Sequence, residues 1–242
     1  HQKLVEVVLA KVDMVTEIRS DLSHNVQALQ RLQAPRPDDA AWQRGATALL
    51  LSNREILRIE WRSPELKIRL AQASPFLPFL FDHMPRSQVQ PDVKQACANA
   101  LRFAGPAYST SYFLPLQEGR GQELLEMCLP LPDDGGFLVM TYGLTDLLGE
   151  LQAREAYRSF SVALTESDGT RLAIAGHAAR DRNTVEAVHL LELPGSAYTL
   201  RVDQARELKG LRPKALSSTL TLLAMALVFT PLGEVRERSN AL

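Results

Sequence analysis

The chain is poor in cysteine, with Cys97 and Cys128 alone among 242 residues. So few exclude a small disulfide-framed domain, and their spacing excludes a CxxC metal or redox pair. A bond between them would require the two to meet in space outside the cytoplasm. Two buried free thiols are the expected state, because cysteine is among the most buried residue types. Excess charge is also lacking: 27 Lys and Arg stand against 28 Asp and Glu, a formal net charge of -1. That removes the basic footprint of a nucleic-acid binder, so no nucleic-acid partner is expected. The five histidines, His1, His24, His83, His177 and His189, are scattered without metal-ligand spacing, so no metal site is expected. GxxxxGK, GxGxxG, HExxH and GxSxG are all missing. Asp38-Asp39 and Asp133-Asp134 read as cap and turn residues, not as an acid/base pair. No catalytic residue and no cofactor is therefore assigned, and binding is the function class left.

What is present is ordinary globular composition, 45% hydrophobic and 23% charged, long enough for one large or two small domains. A chain opening at His1 without Met reads as a segment of something longer. Residues 1–34 hold no Gly and no Pro before Pro35. Leu4, Val8, Val15, Ile18, Leu22, Leu29 and Leu32 recur by threes and fours, with Lys11 and Asn25 interrupting the seam. The spacing predicts a helix of about 50 Å, too long for one small domain to cover. It is expected to pair with a second copy, Asn25 setting the register; an intrachain helix is the competing explanation.

Asp38 to Asn53 predicts a second helix with an Asp cap. "REILRIEW" and "LKIRLA" predict two strands, followed by a proline-broken loop and a helix opening at Asp92 and ending at Gly105-Pro106. "AYSTSYFL", "QELLEMCLPL" and "GFLVMTYG" predict three more strands, joined through "QEGRG" and "PDDGG". The order then restarts with a helix in "TDLLGELQAREAY", capped near Thr145 or Asp146. "SFSVALTE" and "TRLAIAG" flank Asp168-Gly169, and "AVHLLEL" and "SAYTLRV" flank Pro194-Gly195, two hairpin signals. Hairpin-joined strands with a few helices mean α+β with antiparallel sheets.

In "AYSTSYFL", strict alternation would set Tyr108, Thr110 and Tyr112 on one face. Arg58, Arg62 and Arg69 lie on the two earlier strands, and Arg102 ends the helix just before "AYSTSYFL". Guanidinium forks match carboxylates, so Arg69, Arg102, Tyr108, Thr110 and Tyr112 are the candidate contacts for a small organic anion. The competing explanation is that the tyrosines pack and the arginines face water. The second strand set, with Val162, Leu164, Leu172, Ile174, Leu200 and Val202, reads as packing.

From Ala215 to Gly233 there are nineteen uncharged residues, flanked by Lys209, Arg212 and Lys214 and by Arg236 and Arg238. As a helix this run would cover about 28 Å, near the hydrocarbon thickness of a bilayer. The stretch alone fits a membrane span and a buried core helix equally.

The helical rod at 1–34, "ILRIEWRSPELKIRLA", "GGFLVMTYGLTDLLGEL" running into a helix, the hairpin "FSVALTESDGTRLAIAG" and "VRERSNAL" after the apolar run together resemble a known family. It is that of the extracytoplasmic tandem PAS-like sensor regions (PDC or double Cache domains) of membrane histidine kinases. The resemblance implies a long N-terminal helix, two PAS-like modules with antiparallel sheets, and a C-terminal helix. Residues 1–53 would be the signalling helix and second helix, 54–143 the membrane-distal module, 144–205 the membrane-proximal module, and 206–242 a helix with a transmembrane segment at 215–233. Residues 1–213 would lie in the periplasm, with an earlier span before His1 and the kinase output beyond Leu242. The chain itself would bind a small ligand, catalyse nothing, and act as a homodimer anchored in the inner membrane. The alternatives are a ligand-free dimerisation module and a soluble enzyme whose last helix completes the core.

Overall fold

The computed structural model describes residues 2–33, 37–77, 80–81, 90–116, 121–132, 136–176 and 184–205. Residues 1–205 form one compact unit. The anticipated C-terminal helix and the 215–233 segment lie outside the described residues, as do most of the "QEGRG" and "PDDGG" turns.

Helix α1 spans Gln2–Gln33 and α2 spans Asp39–Ser52. Asp38 caps α2 by accepting from the Ala41 N–H at 2.6 Å, satisfying one of the donors a helix start leaves open. The first sheet contains β1 (Ile56–Arg62), β2 (Ile68–Ala73), β3 (Ala107–Tyr108), β4 (Tyr112–Pro115), β5 (Gly121–Pro130) and β6 (Phe137–Gly143). Its order is β2-β1-β6-β5-β3, with β4 also paired to β5, and every pairing is antiparallel. Helix α3 (Pro91–Phe103) packs on β3 and β5. Pro91 suits its first turn, where the missing N–H costs nothing. Helix α4 (Leu144–Ala153) then leads to the second sheet, β7 (Ser161–Thr165), β8 (Arg171–Ala175), β9 (Thr184–Leu193) and β10 (Ser196–Ala205), in the order β8-β7-β10-β9. Gly143 is the N-cap of α4, with Thr145 and Asp146 in the first turn.

One continuous apolar interior joins α1, α2, α4 and both sheets. Ile59, Met127, Met140 and Tyr142 enter it from the first sheet, Val162, Leu164, Leu200 and Val202 from the second. Each fully buried Leu, Ile or Val in it contributes roughly 1.5–3 kcal/mol. Both hairpin glycines have positive φ, Gly169 at 88° and Gly195 at 93°, as the Asp-Gly and Pro-Gly signals required. Gly195 is further restricted by space: a Cβ there would sit 2.5 Å from the Asn99 Nδ2 of α3 and 2.6 Å from the Tyr108 carbonyl. The β9–β10 hairpin tip thus docks on the first sheet, where the Tyr108 N–H donates to the Pro194 carbonyl at 2.8 Å.

Three expectations change. The α1 seam faces its own chain, for Val15, Ile18, Leu22 and Leu29 are buried in the shared interior. From Met14 onward the helix finds cover because both sheets and α2 form one body, larger than either module alone, while Leu4 and Val8 of the seam stay exposed. Asn25 is not a register device between copies; its amide donates to the Glu55 carboxylate at 2.9 Å. The cysteines are not free thiols: Cys97 of α3 is bonded to Cys128 of β5. The α3 face holding Val93, Cys97 and Ala100 packs where Cys128 and Val139 point up from the sheet, so the two sulfurs meet. Third, "AYSTSYFL" is not one strand. The Ser109 N–H bonds the Glu126 carbonyl, while Tyr112 pairs with Leu124. One extra residue therefore stands between those pairs, a bulge that reverses the side-chain alternation. Tyr108 and Tyr112 consequently point to opposite faces.

Candidate functional site

The first sheet is buried on both faces, and the face turned away from the shared interior is charged. Arg58, Glu60 and Arg62 recur at every second position of β1, so they project together. Arg58 pairs with Thr141 of β6, and Thr141 pairs with Glu126 of β5, extending the polar row across three strands. Glu60, Arg62 and Glu126 have no solvent-exposed surface and Thr141 has 1%.

Burying such groups is costly unless each charge is paired and hydrogen-bonded. The Arg58 Nε donates to Glu60 Oε1 at 2.6 Å, and the Arg62 Nε donates to Glu60 Oε2 at 2.7 Å. The Arg62 Nη1 donates to the Leu66 carbonyl at 2.6 Å. Leu66 holds φ at 62°, a left-handed conformation that costs a non-glycine residue about 1 kcal/mol or more, in the turn that presents this carbonyl. Glu126 accepts from the Tyr112 hydroxyl at 2.6 Å and from the Thr141 hydroxyl at 2.8 Å.

Two apolar clusters flank this band. On one side the disulfide and α3 contribute Val93, Cys97, Ala100 and Cys128, meeting Phe137 and Val139. On the other, Leu80 and Phe81 close over Leu57, Leu114 and Leu124. The Arg58 guanidinium carbon lies 5.4 Å from the Phe81 ring centroid. Arg58 is the least enclosed charge of the row, its side chain 17% exposed. The result is a charged strip between two apolar clusters, its carboxylates held by protein hydrogen bonds.

Of the five residues singled out from the sequence, Tyr112 stands in this strip. Tyr108 lies on the opposite face within the shared interior, where burial pushes its phenol well above the usual tyrosine range. Thr110 is exposed and drawn to α3, its N–H and hydroxyl both donating to Gln95 Oε1, at 3.1 and 3.0 Å. Arg69 is exposed on β2, 5.7 Å from the Trp61 ring centroid, and Arg102 is exposed at the end of α3 beside Phe103. The structure does not bring the five together. Glu60, Glu126 and Thr141 were missed; the only signal was the R-x-E-x-R alternation of β1, which in isolation reads as a solvated face. Among the described residues no three His, Cys, Asp or Glu are placed to hold a metal ion.

The sequence matches no protein-family model and no curated protein. Solved structures do match. A domain provisionally assigned to a sensory box/GGDEF family protein of Vibrio parahaemolyticus superposes with a TM-score of 0.54 at 11% identity, covering 85% of this chain and 96% of that one. The sensory domain of the Campylobacter jejuni chemoreceptor Tlp3, with isoleucine bound, gives a TM-score of 0.50 at 13% identity over 85% and 92%. An extracellular ligand-binding receptor of Desulfohalobium retbaense gives 0.51 at 15% identity over 80% of this chain, which spans 39% of the receptor's length. The chain therefore shares the fold of these structures. Within this fold the charged strip belongs to the first sheet, and among the described residues the second sheet has no counterpart to it.

Proposed function

We propose that the chain is the extracytoplasmic sensor region of a transmembrane receptor, a histidine kinase in its simplest form. A small ligand carrying a carboxylate would bind the charged strip of the first sheet. The observation that carries this reading is the strip itself, a row of buried charges held between two apolar clusters on a sensor fold. Arg58 engages Glu60 through Nε, which leaves its remaining N–H groups for a carboxylate. Glu126 and Tyr112 would meet the ligand's polar groups from the other side. The Cys97–Cys128 bond supports an extracytoplasmic setting, since structural disulfides persist in oxidising compartments. Two modules, 54–143 distal and 144–205 proximal, fit the two sheets as working units, and 215–233 as a span fits the charge-free run. Among the described residues no helix is long and apolar enough to cross a membrane.

Signal transfer has a physical route in this arrangement. The ligand would touch strands under α3, α3 touches the β9–β10 hairpin tip through Asn99, and β9 and β10 carry α1. A ligand shifts such a system only by binding one arrangement better than the other. Homodimerisation through α1 would use its first third, where Leu4, Val5, Val8, Leu9 and Val12 are exposed.

A thermal-shift panel of small carboxylates and amino acids on the full chain tests this. Stabilisation that disappears in Arg58→Ala and persists in Arg69→Ala is the expected result. Uniformly flat melting overturns ligand binding and favours the scaffold alternative. One observation favours that alternative: Glu60 and Glu126 already have protein partners, as a purely structural polar layer would.

A further inference from the structure

The first sheet ends at β2, a strand of six residues that among the described residues pairs with β1 alone. The Ser74 N–H donates to the Leu57 carbonyl at 2.8 Å, which makes Arg58 and Ala73 a wide pair of the antiparallel ladder. Residues of wide pairs turn their backbone N–H and C=O away from the partner strand. Ala73 and, two residues back, Ala71 therefore direct theirs to the open edge. Such a row is a template for one more strand. Beside it a groove of about 510 Å³ runs between β2 and the outer flank of α2, lined by Arg44, Thr47, Ala48, Leu51 and Gln72. Gln72 stands opposite Ile59, on the sheet face that meets α2, so side chains of an added strand on that face would enter the groove. Leu51 is 55% exposed there, an apolar side chain left without cover. Charge gives this edge a sign. Arg44 in the groove, Lys67 and Arg69 at the start of β2, and Arg54 beyond its end beside Phe76 are all exposed cations. The acids on α2 and the β1–β2 turn are fewer, Asp39 and Glu65, and Glu65 accepts from the Ser63 hydroxyl at 2.8 Å.

We propose that the open edge of β2 and its groove form a docking surface for a partner protein, which adds an extended acidic segment as a further strand. Main-chain bonds to Ala71 and Ala73 supply affinity, and the groove selects the side chains. Alternate apolar side chains of the segment would cover Ala48 and Leu51, while its carboxylates would meet Arg44 and Arg69. A second copy of this chain is the wrong occupant. Pairing two β2 strands edge to edge would crowd two sets of Lys67 and Arg69 along one ladder, where like charges destabilise. The next strand inward is β1, which carries Arg58, Glu60 and Arg62, so a docked partner would adjoin the strand of the charged strip. The inference does not require a ligand on that strip.

Fluorescence anisotropy of a labelled peptide that alternates glutamate with valine and matches β2 in length, titrated with the full chain, tests the proposal. Saturable binding is expected, with none for the same peptide carrying lysine in place of glutamate. Ala71→Pro removes an edge N–H in a way an edge strand tolerates, and Arg44→Glu reverses the charge of the groove. Each should weaken binding by about tenfold or more. Arg44→Glu alters an exposed helix residue and keeps the test valid should Ala71→Pro fold poorly. Hydrogen exchange of the bound chain should slow at the Ala71 and Ala73 amides, which a purely electrostatic contact would not do. Four outcomes overturn the proposal: no saturable binding, equal binding of the lysine peptide, unchanged affinity in both variants, or binding without protection of those two amides.

Discussion

The two sheets of this protein share one interior yet treat polarity in opposite ways. The second sheet is buried on one side only, and β9 shows it: Val185, Ala187 and Leu191 point inward while Glu186 and Val188 face out. Its ion pairs, such as Arg201 with Glu186 at 3.1 Å, sit in water. The first sheet is covered on both sides, by the shared interior on one and by α3 with Leu80 and Phe81 on the other. Its far face could have been wholly apolar. Instead it encloses Glu60, Arg62 and Glu126. Burial of a replaceable charge is a stability burden, so the sheet that accepts it is the one to suspect of binding.

The sharpest way to break this contrast is to remove one partner of the enclosed set. Glu60→Ala leaves the fully buried Arg62 without its carboxylate and should lower unfolding stability by about 3–5 kcal/mol in urea titration. A loss below about 1 kcal/mol would mean the first sheet's charges are as solvated as those of the second. Next in size is the cross-link that pins α3 over the strip. Cys97→Ala with Cys128→Ala opens a loop of 31 residues and should cost about 3–4 kcal/mol on a chain-entropy estimate. Reducing agent should lower the melting temperature of the native chain and leave the double variant unaffected.

A smaller effect is expected at the junction of the regions. Burial holds the Glu55 carboxyl above the ordinary glutamate range, opposed in part by the Asn25 hydrogen bond. Above that raised value folding must keep a desolvated anion, so Glu55 is destabilising there. As pH falls through it the native state takes up a proton first and stability rises, levelling off below the ordinary glutamate value. Glu55→Gln should therefore stabilise most at neutral pH and flatten this part of the pH–stability curve, measured by urea midpoints from pH 4 to 8 (on the order of the glutamate titration range). Smallest of all, Glu186→Ala in the exposed pair should change stability by less than about 1 kcal/mol.

Local signals proved readable where a single residue's backbone chemistry decides the outcome. Asp168-Gly169 and Pro194-Gly195 make the hairpins they announce, and Asp38 caps the helix it precedes. The face assignment of Tyr108 and Tyr112 was not readable, because the bulge between them is a matter of register against β5, and Thr110 within it meets Gln95 of a distant helix. The cysteine bond was equally hidden: a spacing of 31 residues says nothing until α3 lies on β5. The seam of α1 announced a buried face without naming the partner, since a chain's own sheets and a second copy demand the same apolar residues.

What the amino-acid order determined by itself was the succession of elements, their alternation and period, and the class of fold, because these follow from local backbone preference and the repeat of apolar side chains. What the tertiary structure alone decided was which faces are covered twice. Arg58, Glu60 and Arg62 look like a solvated stripe until α3 and Phe81 close over them. Burial is a property of distant segments meeting, and only that meeting turns an ordinary row of charges into a candidate binding site.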